Sequence, residues 1–273
     1  RVLISLCILH LFLQASSSPA SSTSSKDFVN VNVKRTIDLT THIARHTVSI
    51  TATYSGERPG GAYQVAIARN LAENLALIRA QDGNELPLVV SVAGSDEPTH
   101  AIYDIKIPSV TKGAEIKLQL TLAFTRVMAP LPAQISQHDV QLVKYLDNHY
   151  FFSPYTTLNQ RTELRLPSAA LESYSEEPPT YLRGDVIEYG PYADLGPLAA
   201  SPLAVHFEHH APFVAARRSF KTVDVSHWGG GRIEVEEVVE AEHTGAKLKG
   251  AFSRLEFHKG GPSSSPAAVR SLP

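Results

Sequence analysis

The residues Glu115 to Phe124 alternate without interruption. Ile116, Leu118, Leu120, Leu122 and Phe124 are apolar, and Glu115, Lys117, Gln119, Thr121 and Ala123 lie between them. Side chains along a β-strand point to opposite faces with a period of two, so the run fits a strand with one side in a core. The same pattern sets Val48, Ile50, Ala52 and Tyr54 against Thr47, Ser49, Thr51 and Thr53. Shorter versions occur at Tyr63, Val65 and Ile67 and at Tyr103, Ile105 and Ile107. Further strands are expected at Val140 to Leu146, Thr162 to Leu166, Leu203 to Phe207, Phe213 to Phe220, Thr222 to Val225 and Arg232 to Val239. Gly229-Gly230-Gly231 separates the last two and suits a hairpin or a bulge.

One segment follows another period. Leu71, Leu75 and Ile78 stand at i, i+4 and i+7 and predict a short helix over 69–80, closed by the turn residues Asp82-Gly83-Asn84. Ala129 to Gln134 reads as an extended loop because of its two prolines. From Glu172 to Pro202 prolines and glycines crowd together, which favours turns and removes backbone donors. That stretch is expected to be a domain junction or a long surface connection. The fold class expected is therefore all-β, with tandem antiparallel β-sandwich-like domains and the short helix near 69–80. The expected division is a signal peptide over 1–25, a first β domain over 27–167 and a second over 168–273.

The signal peptide rests on Val2 to Leu13, an apolar run preceded by Arg1 and followed by small polar residues up to Ser25. The run is too short to span a bilayer core, which takes roughly 20 residues. Cleavage is expected between Ala15 and Ser25. The chain starts with Arg and ends in the loop-like stretch Ser263 to Pro273, so it is expected to be a fragment cut at both ends, with its signal incomplete at the start.

Composition excludes several functions. The 273 residues carry 25 basic and 27 acidic side chains, and no basic run is longer than a pair such as Lys34-Arg35 or Arg217-Arg218. Nothing supplies the positive stripe that displaces counterions from nucleic acid. The single cysteine, Cys7, lies in the signal, which leaves no disulfide, cysteine-based zinc site or thiol nucleophile for the mature region. No Asn is followed by x-Ser/Thr, so the chain offers no N-glycosylation acceptor of its own.

Candidate chemistry is sparse. On a strand His206, Glu208 and His210 share one face and form a conceivable metal-ligand set. The zinc-peptidase spacing His-Glu-x-x-His is absent, and a solvated strand end is the plainer reading. Ser226 and His227 are neighbours on a strand and point apart, so they do not make a nucleophile–base pair. Glu236-Glu237 and Glu176-Glu177 read as exposed charges. No catalytic, cofactor-binding or metal-binding residue is assigned. The aromatic stretch His149 to Tyr155 is either a packed core corner or a protein contact. Tyr150, Phe151 and Trp228 are the residues expected to matter, for structure or for a partner. If the Trp228 indole is buried, Trp228→Ala is expected to cost roughly 3–5 kcal/mol.

Five segments together resemble the ribophorin I family: Val33 to Leu39 (VKRTIDL), Asn148 to Tyr155 (NHYFFSPY), Glu188 to Tyr192 (EYGPY), Val225 to Gly229 (VSHWG) and His243 to Arg254 (HTGAKLKGAFSR). Their order and spacing agree with the family from about Asp27 to Pro273, with a looser match over Pro197 to His210. The resemblance implies the lumenal part of a single-pass, type I protein of the endoplasmic reticulum membrane. It implies a non-catalytic subunit of oligosaccharyltransferase, which transfers a preassembled glycan from dolichyl diphosphate to Asn of Asn-x-Ser/Thr. The implied partners are the other subunits, including the catalytic one with its divalent metal, the nascent polypeptide, and the translocon and ribosome through the complex. It also implies tandem β-rich domains. The family's transmembrane helix and cytosolic tail are not in this sequence. Two other readings are open from the residues alone: a secreted β-sandwich adhesion or binding module, and a metal-dependent hydrolase using His206, Glu208 and His210.

Overall fold

The computed structural model describes residues 27–94, 98–228 and 231–255. The expected signal peptide and Cys7 lie outside the described residues. In chain order the elements are β1 (Phe28–Asp38), β2 (Ala44–Tyr54), β3 (Gly60–Ala68), α1 (Arg69–Ala72), β4 (Leu75–Asp82), β5 (Pro87–Leu88), β6 (Val90–Val92), β7 (His100–Val110), β8 (Glu115–Phe124) and β9 (Met128–Pro130). They continue with β10 (Gln134–Ile135), β11 (Leu142–Asn148), β12 (Thr156–Arg165), β13 (Leu171–Tyr174), β14 (Thr180–Arg183), β15 (Val186–Leu195), β16 (Pro202–Glu208), β17 (Val214–Ser226), β18 (Arg232–His243) and β19 (Lys247–Leu248).

The alternation read from the sequence is the alternation of burial. Along β2, Ala44, His46, Val48, Ile50, Ala52 and Tyr54 are buried and the residues between them are open or half-open. On β8, Leu118, Leu120, Leu122 and Phe124 are buried. Burying one such aliphatic side chain contributes about 1.5–3 kcal/mol, which is why these strands hold one register. The result is a large eight-stranded sheet in the order β14-β15-β12-β1-β2-β8-β4-β5, with one face in the core. Two smaller sheets contribute to the same core: β3-β7-β6 and β13-β16-β11-β9. The first joins it through Tyr63, whose hydroxyl donates to Asn30 Oδ1 at 2.7 Å. The second joins it through Tyr145, whose hydroxyl lies 2.8 Å from His46 Nε2. The paired strands are antiparallel except β1 with β12 and β10 with β19, which are parallel.

The fold class is all-β, as expected, but three details of the expectation change. The predicted helix stops after Arg69–Ala72, and Leu75 and Ile78 belong to β4. A bulge between Leu75 and Leu77 skips one residue against β8, so Leu75 faces Phe124 while Ile78 faces Leu122. Residues three apart then share a face of the sheet, which imitates helical spacing. The edge of β8 offers backbone partners over the whole length of β4, and that decides against the helix. The Asp82-Gly83-Asn84 turn forms as expected, with Asp82 Oδ1 accepting from the Asn84 and Leu86 backbone at 2.8 and 2.9 Å.

The second change concerns residues 172–202. That stretch contains β13, β14 and β15, and β15 buries Ile187, Tyr189 and Tyr192. Through β15 it is built into the core, while β13 and β14 are open or half-open. Gly190 explains how a glycine and proline stretch can be strand. Its φ of 97° is open to glycine at little cost, and an added Cβ would sit 2.8 Å from the Gln160 carbonyl oxygen. The third change follows from it. β15 pairs with β12, and β16 pairs with β11, so hydrogen-bonded strands run across the expected division at 167/168. Strands from before and after residue 167 are thus paired within the large sheet.

The remaining hairpin, β17 with β18, is registered from Val214 opposite His243 to Ser226 opposite Arg232. Gly231 at its turn has a φ of 77°, consistent with the expected glycine hairpin.

Candidate functional site

The structure brings Arg35, His46, Asp147, Asn148, His149, Gln160 and Thr162 into one connected region, beneath the loop that joins β11 to β12. Arg35 stands on β1 between the buried Val33 and Ile37, so strand geometry turns its guanidinium inward. Its Nη1 lies 3.4 Å from Asp147 Oδ2, and both side chains are 3 % exposed. Its Nη2 donates to the Asn148 carbonyl and, at 3.0 Å, to the His149 carbonyl. Asp147 also accepts from the Tyr145 hydroxyl at 3.0 Å. With its one proton given to Asp147, that hydroxyl accepts from His46 Nε2, which fixes the tautomer of His46. Burial pushes the His46 pKa down to about 4, with Asp147 opposing and Arg35 assisting, so the ring is neutral at neutral pH. Burial likewise holds the Tyr145 hydroxyl well above its ordinary value.

The loop after Asn148 is fastened by a second set of bonds. The His149 carbonyl accepts from Arg35, from Gln160 Nε2 at 3.3 Å and from Thr162 Oγ1 at 3.0 Å. Gln160 Oε1 accepts from the Phe151 backbone at 3.1 Å. The Asn148 amide donates to the carbonyls of Tyr150 and Ala199 at 2.9 and 3.1 Å. His149 Nε2 lies 3.1 Å from Ser175 Oγ, and burial lowers its pKa. Glu177 accepts from Tyr150 and Ser201 at 3.2 and 2.8 Å. Three loops, around 149, 176 and 200, are thereby held to one another and to β1 and β12.

The arrangement is structural in its geometry. The void beside Arg35, His46 and Asp147 measures about 30 Å³, room for about one water. His46 and Tyr145 are both buried. Two of the resemblance segments meet in this region: Tyr150 packs edge-on against Tyr192 with centroids 5.0 Å apart, and His149 against Tyr189 at 4.8 Å. The expected aromatic stretch is thus a core corner. Tyr155 is fully buried, Phe151 is 9 % exposed and Tyr150 is half-buried.

Trp228 is elsewhere. It stands at the far end of the hairpin, 89 % exposed, so the expected cost of truncating a buried indole does not apply. Tyr150 and Phe151 come together in the structure, and Trp228 does not join them. His206, Glu208 and His210 do not converge either. His206 Nε2 donates to the Leu131 carbonyl at 2.8 Å, and His210 pairs with Glu208 at 3.0 Å. Among the described residues no group of three or more His, Cys, Asp or Glu side chains is placed to hold a metal ion. A cleft of about 600 Å³ opens at the base of the hairpin, bordered by Glu73, Arg126, Phe213 and Glu242. Its charged residues Glu73, Arg126 and Glu242 are exposed. No helix among the described residues is long and apolar enough to cross a membrane.

Sequence reasoning missed Arg35, His46 and Asp147. The signal was present in the alternation. Arg35 falls between Val33 and Ile37, His46 between Ala44 and Val48, and Asp147 two residues after Tyr145, each on an inward position. Charged or titratable residues at core positions of three strands have to meet partners.

Comparisons with known proteins agree with the resemblance carried by the sequence motifs. The chain is 33 % identical over 265 residues to dolichyl-diphosphooligosaccharide–protein glycosyltransferase subunit 1A of Arabidopsis thaliana, covering 93 % of this chain and 42 % of that protein. It is 34 % identical over 233 residues to subunit 1 of the same name from Caenorhabditis elegans, covering 83 % of this chain and 39 % of that protein. The chain therefore spans about two-fifths of the length of these relatives. Among solved structures, an M1 zinc metallopeptidase from Deinococcus radiodurans aligns over 77 % of this chain and 47 % of its own, with a TM-score of 0.37 and 10 % identity, a likeness too slight to carry an argument. The model of one family, Ribophorin I, matches residues 28–273. With nearly every described residue inside that match, the chain belongs to the ribophorin I family.

Proposed function

We propose that this chain is part of subunit 1 of the oligosaccharyltransferase complex and works there without a catalytic centre of its own, as a lumenal scaffold that helps position partners and the nascent polypeptide. The single observation that carries this reading is the identity of 33 % over 93 % of the chain to a protein named as subunit 1A of that glycosyltransferase. The complex moves a preassembled glycan from dolichyl diphosphate to Asn of Asn-x-Ser/Thr. The proposed setting is the endoplasmic reticulum membrane, with these residues on the lumenal side of a single-pass, type I protein. The proposed partners are the other subunits, the catalytic one included, and through them the translocon and ribosome.

The core chemistry supports the non-catalytic part. Buried ionisable groups are the raw material of active sites. Here Arg35, His46, Tyr145 and Asp147 are spent on one another, beside a void of about 30 Å³. No cofactor is proposed for the chain. The charge balance, 25 basic against 27 acidic residues, supports a role in a protein assembly over one on nucleic acid.

The test is recovery from microsomes in mild detergent, with an affinity tag on the full-length protein. The catalytic transferase subunit is expected in the eluate in comparable amount, and its absence would sink the assignment. A companion assay offers lipid-linked glycan and an Asn-x-Thr peptide to the purified chain alone. No transfer is expected; transfer above a boiled control would overturn the non-catalytic reading.

A further inference from the structure

The hairpin β17–β18 has two unlike faces. Opposite residues of an antiparallel pair share a face, and the register therefore groups them. Val225 with Ile233, Val223 with Val235, and Ser219 with Val239 lie on one face, interrupted by Lys221 with Glu237. Asp224 with Glu234, Thr222 with Glu236, Phe220 with Val238, and Arg218 with Glu240 lie on the other. The first face is aliphatic, and its lone charges answer each other at 3.8 Å. The second is mainly charged, with Arg218 stacked over Phe220. This is the pattern of an antiparallel sheet with one side in a core and one in water.

The core side is uncovered. Val223, Val225, Ile233, Val235 and Val239 are 48–70 % exposed. β17 and β18 form a sheet of their own and pair with no third strand among the described residues. Twelve residues of strand extend about 40 Å. An isolated two-stranded ribbon is at best marginally stable in water, and Val223, Val225, Ile233 and Val235 form an exposed aliphatic patch on this one, bounded by the Lys221–Glu237 pair.

We propose that the aliphatic face of this hairpin is the docking face for another part of the same polypeptide, an apolar sheet or helix surface drawn from the sequence that the longer relatives carry outside the matched region. Two observations choose this occupant. More than half of each relative's length lies beyond the match, since the chain covers 42 % and 39 % of them. The hairpin is also, in chain order, the last large element of the described residues, which sets it nearest in sequence to any residues that follow. The inference rests on family membership and not on the proposed scaffold role.

The test places a photo-cross-linking phenylalanine analogue in the full-length protein, in microsomes, at Val223 or Val235, and for comparison at Thr222 or Glu236. Val223 and Val235 are expected to yield intramolecular products that map outside the matched residues 28–273. Thr222 and Glu236 are expected to lose that product. Products joining two differently tagged copies, products joining another subunit, or equal labelling from both faces would each overturn the proposal. Resistance of the cross-linker variants to limited proteolysis, equal to that of the unmodified protein, confirms that each is folded. A Val235→Lys protein as a second variant should lose resistance outside the hairpin, and unchanged resistance there would count against the proposal.

Discussion

β2 and β18 are strands of nearly equal length, and each pairs with the strand before it in antiparallel register broken by a single bulge. β2 buries six residues in strict alternation, whereas every residue of β18 is exposed. The sequence pattern of the two is of the same kind. What differs is the company. β2 lies between β1 and β8, with Tyr145 of a second sheet over it, and β18 has only β17. Periodicity states which face of a strand would gain from cover. It does not state whether cover is at hand. The comparison also separates two kinds of polar residue. Arg35, on an inward position of β1, is held by an ion pair and two carbonyls, while Lys221 on the hairpin meets Glu237 with both partners open to water.

The largest test of this contrast removes the cation from the core. Arg35→Ala leaves the Asp147 carboxylate buried without its partner and takes a donor from two carbonyls. Such a change is expected to cost about 3–5 kcal/mol, read as a lower urea midpoint at an unchanged slope. A loss no greater than that of a surface substitution would mean that water reaches the network and that the two regions are not so different.

Acid probes the same network from the side of His46. The unfolded ring takes up its proton near pH 6.5 and the folded one only near 4. Between those values the unfolded state binds more protons, so stability falls as the pH falls through this window and levels off below it. The difference corresponds to on the order of 3 kcal/mol, with buried His149 acting in the same direction. Urea midpoints measured from pH 7 down to 4 should show the decline, and His46→Gln should flatten most of it. An unaltered decline in that variant would place the acid sensitivity elsewhere.

Trp228→Ala is the smallest expected effect and the sharpest on the hairpin side. With the indole 89 % exposed, its truncation should change stability by no more than about 0.5 kcal/mol. A clear fall in melting temperature would show that the hairpin tip is packed after all.

Much of the first core was legible because its strands alternate cleanly. The inward sets on β2, β3, β7 and β8 are the residues the alternation names. Where a bulge intervened, as at Leu75 to Leu77, the same reading gave a helix that the pairing with β8 does not allow. Where glycine and proline were dense, as in β15, it gave a connection that the Gly190 geometry turns into strand. The polar network was half legible: Arg35, His46 and Asp147 each sit at an inward position, but nothing local says that the three converge.

The amino-acid sequence by itself determined that this protein is built of strands, which face of most of them is apolar, and, through its motifs, the family to which it belongs. Only the tertiary structure decided which strands share a sheet, that the halves before and after residue 167 are joined by the pairing of β12 with β15, and that Trp228 is outside while Tyr155 is inside. The reason is physical. Side-chain period is set by local backbone geometry, whereas strand pairing and burial are settled between residues far apart in the chain, where each backbone donor and each apolar face takes the partner that the whole fold leaves available.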